Sequence, residues 1–321
     1  MKAIIRSKYG SPDVLRHEDV PMPTLKDNEI LVKVHATTVN RTDCAIVSGK
    51  PAVMKLMLGF PNPRTVIPGT DFAGVIENIG RNVRRFKVGE RVFGFDDMGL
   101  QSHAEYLALA ENKGIAAIPD SCSFEEAAAS IEGAHYAYNF INKVSLKAGQ
   151  KVLVYGASGA IGSALVQIVK HYGVSVSAVS ATQTQDAVQS LGADRVVDYT
   201  KEDFTKDSER YDYVFDAVGK STFAACKPLL LDTGVYISSE LGPNMQNPFL
   251  ALFTPFLGGK KVIFPIPSNI QASVDVVKHL LEHGKFKPLI DKRSYTLENL
   301  ADAYRYVGSG QKVGNVVVRV C

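Results

Sequence analysis

The chain has 321 residues, of which 45% are hydrophobic and 21% charged, a length beyond what one core usually organises, so two domains are expected. Its 36 basic and 33 acidic residues leave a formal net charge of +3 and form no cationic block, which argues against nucleic acid and membrane surfaces as partners. The opening Met1-Lys-Ala-Ile-Ile-Arg-Ser-Lys8 lacks the apolar stretch of a secretory signal, and no apolar run approaches the roughly 20 residues that span a bilayer, so a cytoplasmic protein is expected.

The first 120 residues or so are strand-rich. Glu29-Ile-Leu-Val-Lys-Val-His35 alternates apolar and polar positions as a half-buried strand does, Phe72–Glu77 and Glu90–Gly94 read as further strands, and prolines crowd positions 21, 23, 61, 63 and 68. From Phe124 to Asn142 the pattern is helical. Strands and helices then alternate: strand Val152–Tyr155, helix Ala160–Tyr172, strand Val174–Val179, helix Asp186–Leu191, strands Arg195–Val197 and Tyr213–Asp216, helix Phe223–Leu230, strands Gly234–Ser238 and Lys261–Phe264. Such alternation with short loops predicts a doubly wound parallel sheet, an α/β fold. A helix over Ser273–His283 and a strand over Asn315–Val320 close the chain. Cys44, Cys122, Cys226 and Cys321 are far apart and include no Cys-x-x-Cys, so reduced thiols are expected rather than a disulfide framework or a cysteine-rich zinc site.

The densest chemical signal is Lys151-Val-Leu-Val-Tyr-Gly-Ala-Ser-Gly-Ala-Ile-Gly162, an apolar strand entering three glycines and then a helix. Gly156, Gly159 and Gly162 follow a G-x-x-G-x-x-G spacing, and Ala157, Gly159 and Gly162 match G-x-G-x-x-G with alanine first. A side chain at Gly159 would keep the backbone from a pyrophosphate, and one at Gly162 would hold the helix off the strand. The helix start, with Ser158, Ala160 and Ile161, offers unpaired N–H groups to anionic oxygens, so a dinucleotide is expected here. About 20 residues on, NAD-binding folds usually place a carboxylate for the ribose 2′-OH. That place holds Val179-Ser180-Ala181-Thr182, and no carboxylate precedes Asp186. NADPH is therefore favoured, without strict exclusion of NADH, although no Lys or Arg lies between Lys170 and Arg195. Ser180, Thr182 and Gln183 are the neutral donors available.

These motifs, with Pro68-Gly-Thr-Asp-Phe-Ala-Gly-Val75, Val88-Gly-Glu-Arg-Val-Phe-Gly94, Leu191-Gly-Ala-Asp194, Asp198-Tyr199 and Phe215-Asp-Ala-Val-Gly219, resemble the medium-chain dehydrogenase/reductase superfamily over nearly the whole chain. Within it the similarity is to the zinc-independent quinone oxidoreductase branch that includes ζ-crystallin-like proteins. The resemblance implies a GroES-like β-rich catalytic domain from 1–122 and 267–321, a Rossmann domain at 123–266, a cofactor cleft at their junction and a homodimer. By the same correspondence Tyr199 meets the cofactor phosphate, while Asp216, Val218, Gly219, Ser239 and Asn315 lie near the nicotinamide ribose.

Zinc dehydrogenases of this superfamily surround an open metal position with thiolate and imidazole donors. Where they carry Cys-His-Thr-Asp this chain has Asn40-Arg-Thr-Asp43, and where they carry Gly-His-Glu it has Gly69-Thr70-Asp71. The stretch 95–106 holds no cysteine, and His35, His103 and His135 are isolated, so no metal is expected. The resemblance then places Asn40 and Thr42 as donors to the oxyanion of a quinone or α,β-unsaturated carbonyl, with Asp43 as the acceptor that fixes their turn and Arg41 near the pyrophosphate or solvent. Many quinone reductases have Ser-Gly-x-Tyr downstream; this chain has Ser48-Gly-Lys-Pro51 instead. Two alternatives stand beside this reading. One is a trans-2-enoyl-thioester reductase, for which the Phe-rich Pro248–Phe256 would line an acyl pocket unless it is interface or core. The other is a non-catalytic NADPH-binding protein of the same fold.

Overall fold

The computed structural model describes residues 1–321, and strand alternation governs the first part of it. β1 (Lys2–Ile5) pairs antiparallel with β2 (Arg16–Asp19). β3 (Glu29–Val39) buries Ile30, Val32 and Val34 on one face and runs four residues past His35, because Ala36–Val39 are covered on both faces and alternation no longer marks them. Two helices follow, α1 (Arg41–Ser48) and α2 (Val53–Leu58), so Asn40–Asp43 opens a helix instead of forming an isolated turn. Then come β4 (Asp71–Ile79), β5 (Arg91–Phe95), β6 (Tyr106–Ala110) and β7 (Ile115–Ala117). The helical stretch after Ser123 is two helices, α3 (Phe124–Ala129) and α4 (Ile131–Ile141), separated at Ser130.

The alternating region folds as β8 (Lys151–Tyr155), α5 (Ala160–Lys170), β9 (Ser175–Ser180), α6 (Gln185–Ser190), β10 (Arg195–Asp198), β11 (Tyr211–Asp216), α7 (Phe223–Cys226), β12 (Leu230–Ser238), α8 (Gln246–Phe253) and β13 (Lys261–Ile263). All six strands are parallel in the order β10-β9-β8-β11-β12-β13, so the winding reverses between β8 and β11, where such sheets bind nucleotides. The chain ends with α9 (Ile270–Glu282), β14 (Tyr295–Thr296), α10 (Leu300–Gly308) and β15 (Val316–Arg319).

Two compact units result: Met1–Glu132 with Asn269–Cys321, and Gly133–Ser268. In the first, β14-β15-β3-β4-β5-β7 form one sheet with β6 also paired to β3, and β15 joins β3 with Val316 opposite Val39. This unit reaches past the expected boundary at 122 because Ser123 caps α3 and α3 packs on β3, β4 and β15. Its apolar core has two parts, one around Phe72, Ile76 and Ile115 and one under α10 around Leu300, Tyr304 and Val316. The second unit has its own core around Leu153, Val214 and Tyr236. No helix is long and apolar enough to cross a membrane. All four cysteines are free thiols, and burial pushes Cys44 and Cys226 up to about 12, which keeps them protonated.

Candidate functional site

Asn40 is the N-cap of α1, with extended backbone (φ −125, ψ −179). The Asp43 amide donates to Asn40 Oδ1 at 2.8 Å and the Asn40 amide donates to Asp43 Oδ2 at 3.1 Å, a reciprocal capping box. The Asn40 side-chain nitrogen donates to Thr70 Oγ1 at 2.8 Å and to Asp71 Oδ2 at 3.3 Å. A residue only 3% exposed thus has its whole amide engaged, and the free N–H expected of it for an oxyanion is not offered. Asn40 ties the start of α1 to the start of β4.

Asp71 is the hub of this cluster. Its carboxylate accepts from the Thr38 amide at 2.7 Å, the Thr38 hydroxyl at 2.5 Å and the Thr37 hydroxyl at 3.2 Å. Burial pushes it up to about 6 in spite of those bonds. Burial and the adjacent Asp71 charge push Asp43 well above the usual carboxylate range, so the pair disfavours full ionisation. The fully buried Arg6 donates to the Ile46 carbonyl at 2.5 Å and supplies positive potential at Asp43. His103 is pushed down to about 4 by burial and stays neutral, with Nε2 3.0 Å from the Thr38 carbonyl and Nδ1 3.3 Å from the Tyr304 hydroxyl.

In the first turn of α1, the Thr42 hydroxyl donates to Glu132 Oε1 at 3.3 Å. Glu132 is 5% exposed and burial raises its carboxyl to about 7, against the pull of Lys312 and Arg41. Sequence reasoning passed over this residue, since it falls inside a helical stretch as one more polar position; the helix break at Ser130 was its only local signal. Asn315, in the same unit, donates from its amide to the Leu289 carbonyl at 3.0 Å. No group of three or more His, Cys, Asp and Glu side chains is disposed to hold a metal ion.

In the second unit the strand-turn-helix is built as its glycines require. A Cβ on Gly162 would lie 2.2 Å from the Gly156 carbonyl oxygen, so only glycine lets α5 approach β8 this closely. A Cβ on Gly159 would meet nothing nearer than that same oxygen at 3.4 Å, so the backbone there faces open space. Gly159 is the N-cap of α5 and brings no side-chain acceptor. The N–H groups of Ala160, Ile161 and Gly162 precede the first intrahelical bond, from the Ser163 amide to the Gly159 carbonyl, and remain for an anion. The turn therefore fits a pyrophosphate. Ala157 is buried and donates its amide to the Val179 carbonyl, joining the turn to β9.

At the β9 end the structure corrects the sequence reading. A carboxylate is present: the parallel register sets Asp198 of β10 opposite Ser180, and Asp198 Oδ2 accepts from the Thr182 hydroxyl at 2.5 Å. Bonds from Thr182 and then Thr200 hold Asp198 well below its ordinary range, and Lys201 Nζ lies 3.4 Å away. Of the expected donors, Thr182 is thus partly committed and Ser180 is buried with an unpartnered hydroxyl, while Gln183 and Tyr199 are exposed. Asp216 accepts from the Gly219 amide at 2.7 Å, the Val218 amide at 3.1 Å and the Tyr236 hydroxyl at 2.7 Å, so it shapes the turn after β11. Ser239 follows β12 and is half-buried.

Two family models match the chain, "Alcohol dehydrogenase GroES-like domain" over residues 26–120 and "Zinc-binding dehydrogenase" over residues 191–318. The NADPH-dependent alkenal/one oxidoreductase of Arabidopsis thaliana chloroplasts is 32% identical over 99% of this chain and 79% of its own length. Human quinone oxidoreductase is 30% identical over 97% of this chain and 95% of its own. The solved quinone oxidoreductase of Coxiella burnetii, 24% identical, superposes with a TM-score of 0.84 over 100% of this chain and 99% of that one, which shows a shared fold. With the zinc-ligand positions held by Asn40 and Thr70, the chain belongs to the medium-chain dehydrogenase/reductase superfamily, in its zinc-independent quinone oxidoreductase branch.

Proposed function

We propose that this protein is an NADPH-dependent reductase of quinones and α,β-unsaturated carbonyls. The observation that carries the reading is the buried cluster of the first unit in which the Thr42 hydroxyl stands against an acid, Glu132; the second unit separately carries the uncapped, glycine-led α5. The full-length similarity to an alkenal/one oxidoreductase and to a quinone oxidoreductase supports the substrate class.

Within the second unit the backbone of Gly156–Gly162 holds the pyrophosphate, Gln183 and Tyr199 face the adenosine end, and Val218, Gly219 and Ser239 serve the nicotinamide end. When bound, the reduced nicotinamide supplies hydride. Charge then develops on the substrate oxygen, and a donor aimed at it lowers the barrier because it acts on charge that exists only in the transition state. Thr42 is that donor. Asn40 and Asp43 hold the first turn of α1 that presents it, and Asp71 anchors Asn40. We assign 1–132 and 269–321 to the catalytic domain, and read the protein as a cytoplasmic homodimer.

The test is NADPH oxidation by the purified protein against a panel of quinones, enones and enoyl thioesters, with cofactor binding measured in parallel. Turnover of quinones or enones is expected. Cofactor binding without any turnover defeats the enzyme reading, and turnover confined to enoyl thioesters defeats the substrate class.

A further inference from the structure

Glu132 is a costly residue to place where it is. A carboxyl group 5% exposed loses most of its hydration, and the cation that acts on it most, Lys312, donates its ammonium to the Gly314 carbonyl at 2.6 Å. Its one hydrogen-bond partner is the Thr42 hydroxyl, at 3.3 Å, a separation longer than the usual 2.7–2.8 Å of an O–H···O bond and of the kind that shortens when a substrate closes on the site. A carboxylate there has one side-chain hydroxyl donor for its two oxygens, and a carboxylic acid is the cheaper species to bury. The groups that act on it are Lys312 before β15 and Arg41 of α1, which favour its ionised form, and Asp71 of β4 and Asp43 of α1, which oppose it.

We propose that Glu132 is the proton reservoir of the reduction, a positioning residue that recharges the Thr42 hydroxyl after it has given its proton to the substrate oxygen. This rests on the reductase reading above and extends it. In an enone, hydride from the reduced nicotinamide dinucleotide adds at the β-carbon and the C=C electron pair moves through the carbonyl carbon onto oxygen. With Glu132 protonated, its O–H donates to Thr42 Oγ1 across the same 3.3 Å contact and the Thr42 hydroxyl proton turns to the substrate; the enolate oxygen takes that proton, whose bonding pair stays on Oγ1. Oγ1 in turn takes the proton of the Glu132 carboxyl, leaving a carboxylate that solvent reprotonates before the next cycle. The enol tautomerises in water. Atoms and electrons balance with no reactant beyond the hydride donor and water.

Because the acid form must be present, the reservoir is full below pH 7 and empties above it, in line with the carboxyl lying at about 7. In the unliganded protein, the infrared band of a buried carboxylic acid, taken as wild type minus Glu132→Gln between pH 5 and 9, is expected to disappear around pH 7. In steady state with a small enone, wild-type kcat falls above about pH 7. Glu132→Gln loses that alkaline limb and drops roughly 10²-fold in kcat, with the KM for NADPH unchanged, and Thr42→Ser keeps the limb. Should Glu132→Gln not fold, Thr42→Val replaces it: the limb must vanish while the wild-type-like infrared titration persists. An acid band missing at pH 6 overturns the proposal, as does a limb that survives in Glu132→Gln or Thr42→Val, and either result leaves the reductase reading standing. A wild type that reduces neither enone nor quinone removes both.

Discussion

Asp198 Oδ2 accepts a hydrogen bond from the Thr182 hydroxyl at 2.5 Å, which sets a carboxylate beside the end of β9 that the linear sequence leaves neutral. The two residues are 16 positions apart and meet only because β10 lies parallel to β9. A fixed negative charge at this place opposes a 2′-phosphate and accepts readily from a 2′-hydroxyl.

The first prediction concerns that charge. Wild type binds NADPH in preference to NADH by less than tenfold, with Lys201 offsetting part of the Asp198 field. Asp198→Asn keeps the size and an acceptor for Thr182 and removes the charge, so the NADPH-to-NADH affinity ratio rises, by roughly fivefold for one solvent-screened charge–charge interaction. Fluorescence titration of both cofactors on both proteins measures it. A ratio that stays fixed or falls means that the 2′-phosphate does not approach Asp198.

What the sequence made legible and what it hid divide along one line. The Gly156–Gly162 turn was readable because each glycine's role is local: the Gly162 contact with the Gly156 carbonyl lies within seven residues of chain. The helix α10 carries an equally local signal, its buried Leu300, Ala303, Tyr304 and Val307 spaced at three and four. By contrast, Asp198 facing Thr182, Asn40 held by Thr70 and Asp71, and Glu132 under Thr42 are all juxtapositions across 16 to 90 residues. Residue type suggested a donor at Asn40; only the fold shows that its donors are already used.

A second prediction follows from the exposed apolar face of the second unit. The sheet ends at β13, a three-residue edge strand, and beside it α8 and the turn after it expose Phe249, Leu252, Phe253, Phe256 and Leu257, the last two 83% and 79% exposed. Open edges and apolar patches of this kind are normally covered. Light scattering is expected to give about twice the 34.8 kDa chain mass, and Phe256→Glu with Leu257→Glu to return it to one chain. A wild-type monomer at micromolar concentration rules out the dimer.

The third concerns stability against pH. Asp71 lies at about 6 and Asp43 well above its ordinary value, both raised by burial, so the folded state holds protons that the unfolded chain releases nearer pH 4. Their contribution to stability is complete below the unfolded value and is lost as pH rises through the folded one. Between pH 5 and 7.5 the unfolding free energy should therefore fall, by an amount on the order of 1–3 kcal/mol for this pair. Denaturant melts of wild type and Asp43→Asn at the two pH values separate it from the rest of the protein, since the amide removes one of the coupled protons and should flatten the slope. Equal slopes would show that the pair stays ionised throughout.

The last prediction separates the frame of the site from its chemistry. Asn40 caps α1 through Oδ1 and binds Thr70 and Asp71 through its amide nitrogen, all in a buried setting, so its removal strips a cap and leaves Asp71 short of a donor. Asn40→Ala should cost about 2 kcal/mol or more in unfolding free energy. Thr42 is the second residue of the helix, its hydroxyl 3.3 Å from Glu132 Oε1, and Thr42→Ala leaves the cap intact; its unfolding free energy should move by less than about 1 kcal/mol while turnover drops roughly 10²-fold. Paired denaturant melts and saturating-NADPH kinetics on the two variants supply both numbers. If instead Asn40→Ala melts like wild type and loses turnover as deeply as Thr42→Ala, then the Asn40 amide meets the substrate directly and its hydrogen bonds to Thr70 and Asp71 give way when substrate binds.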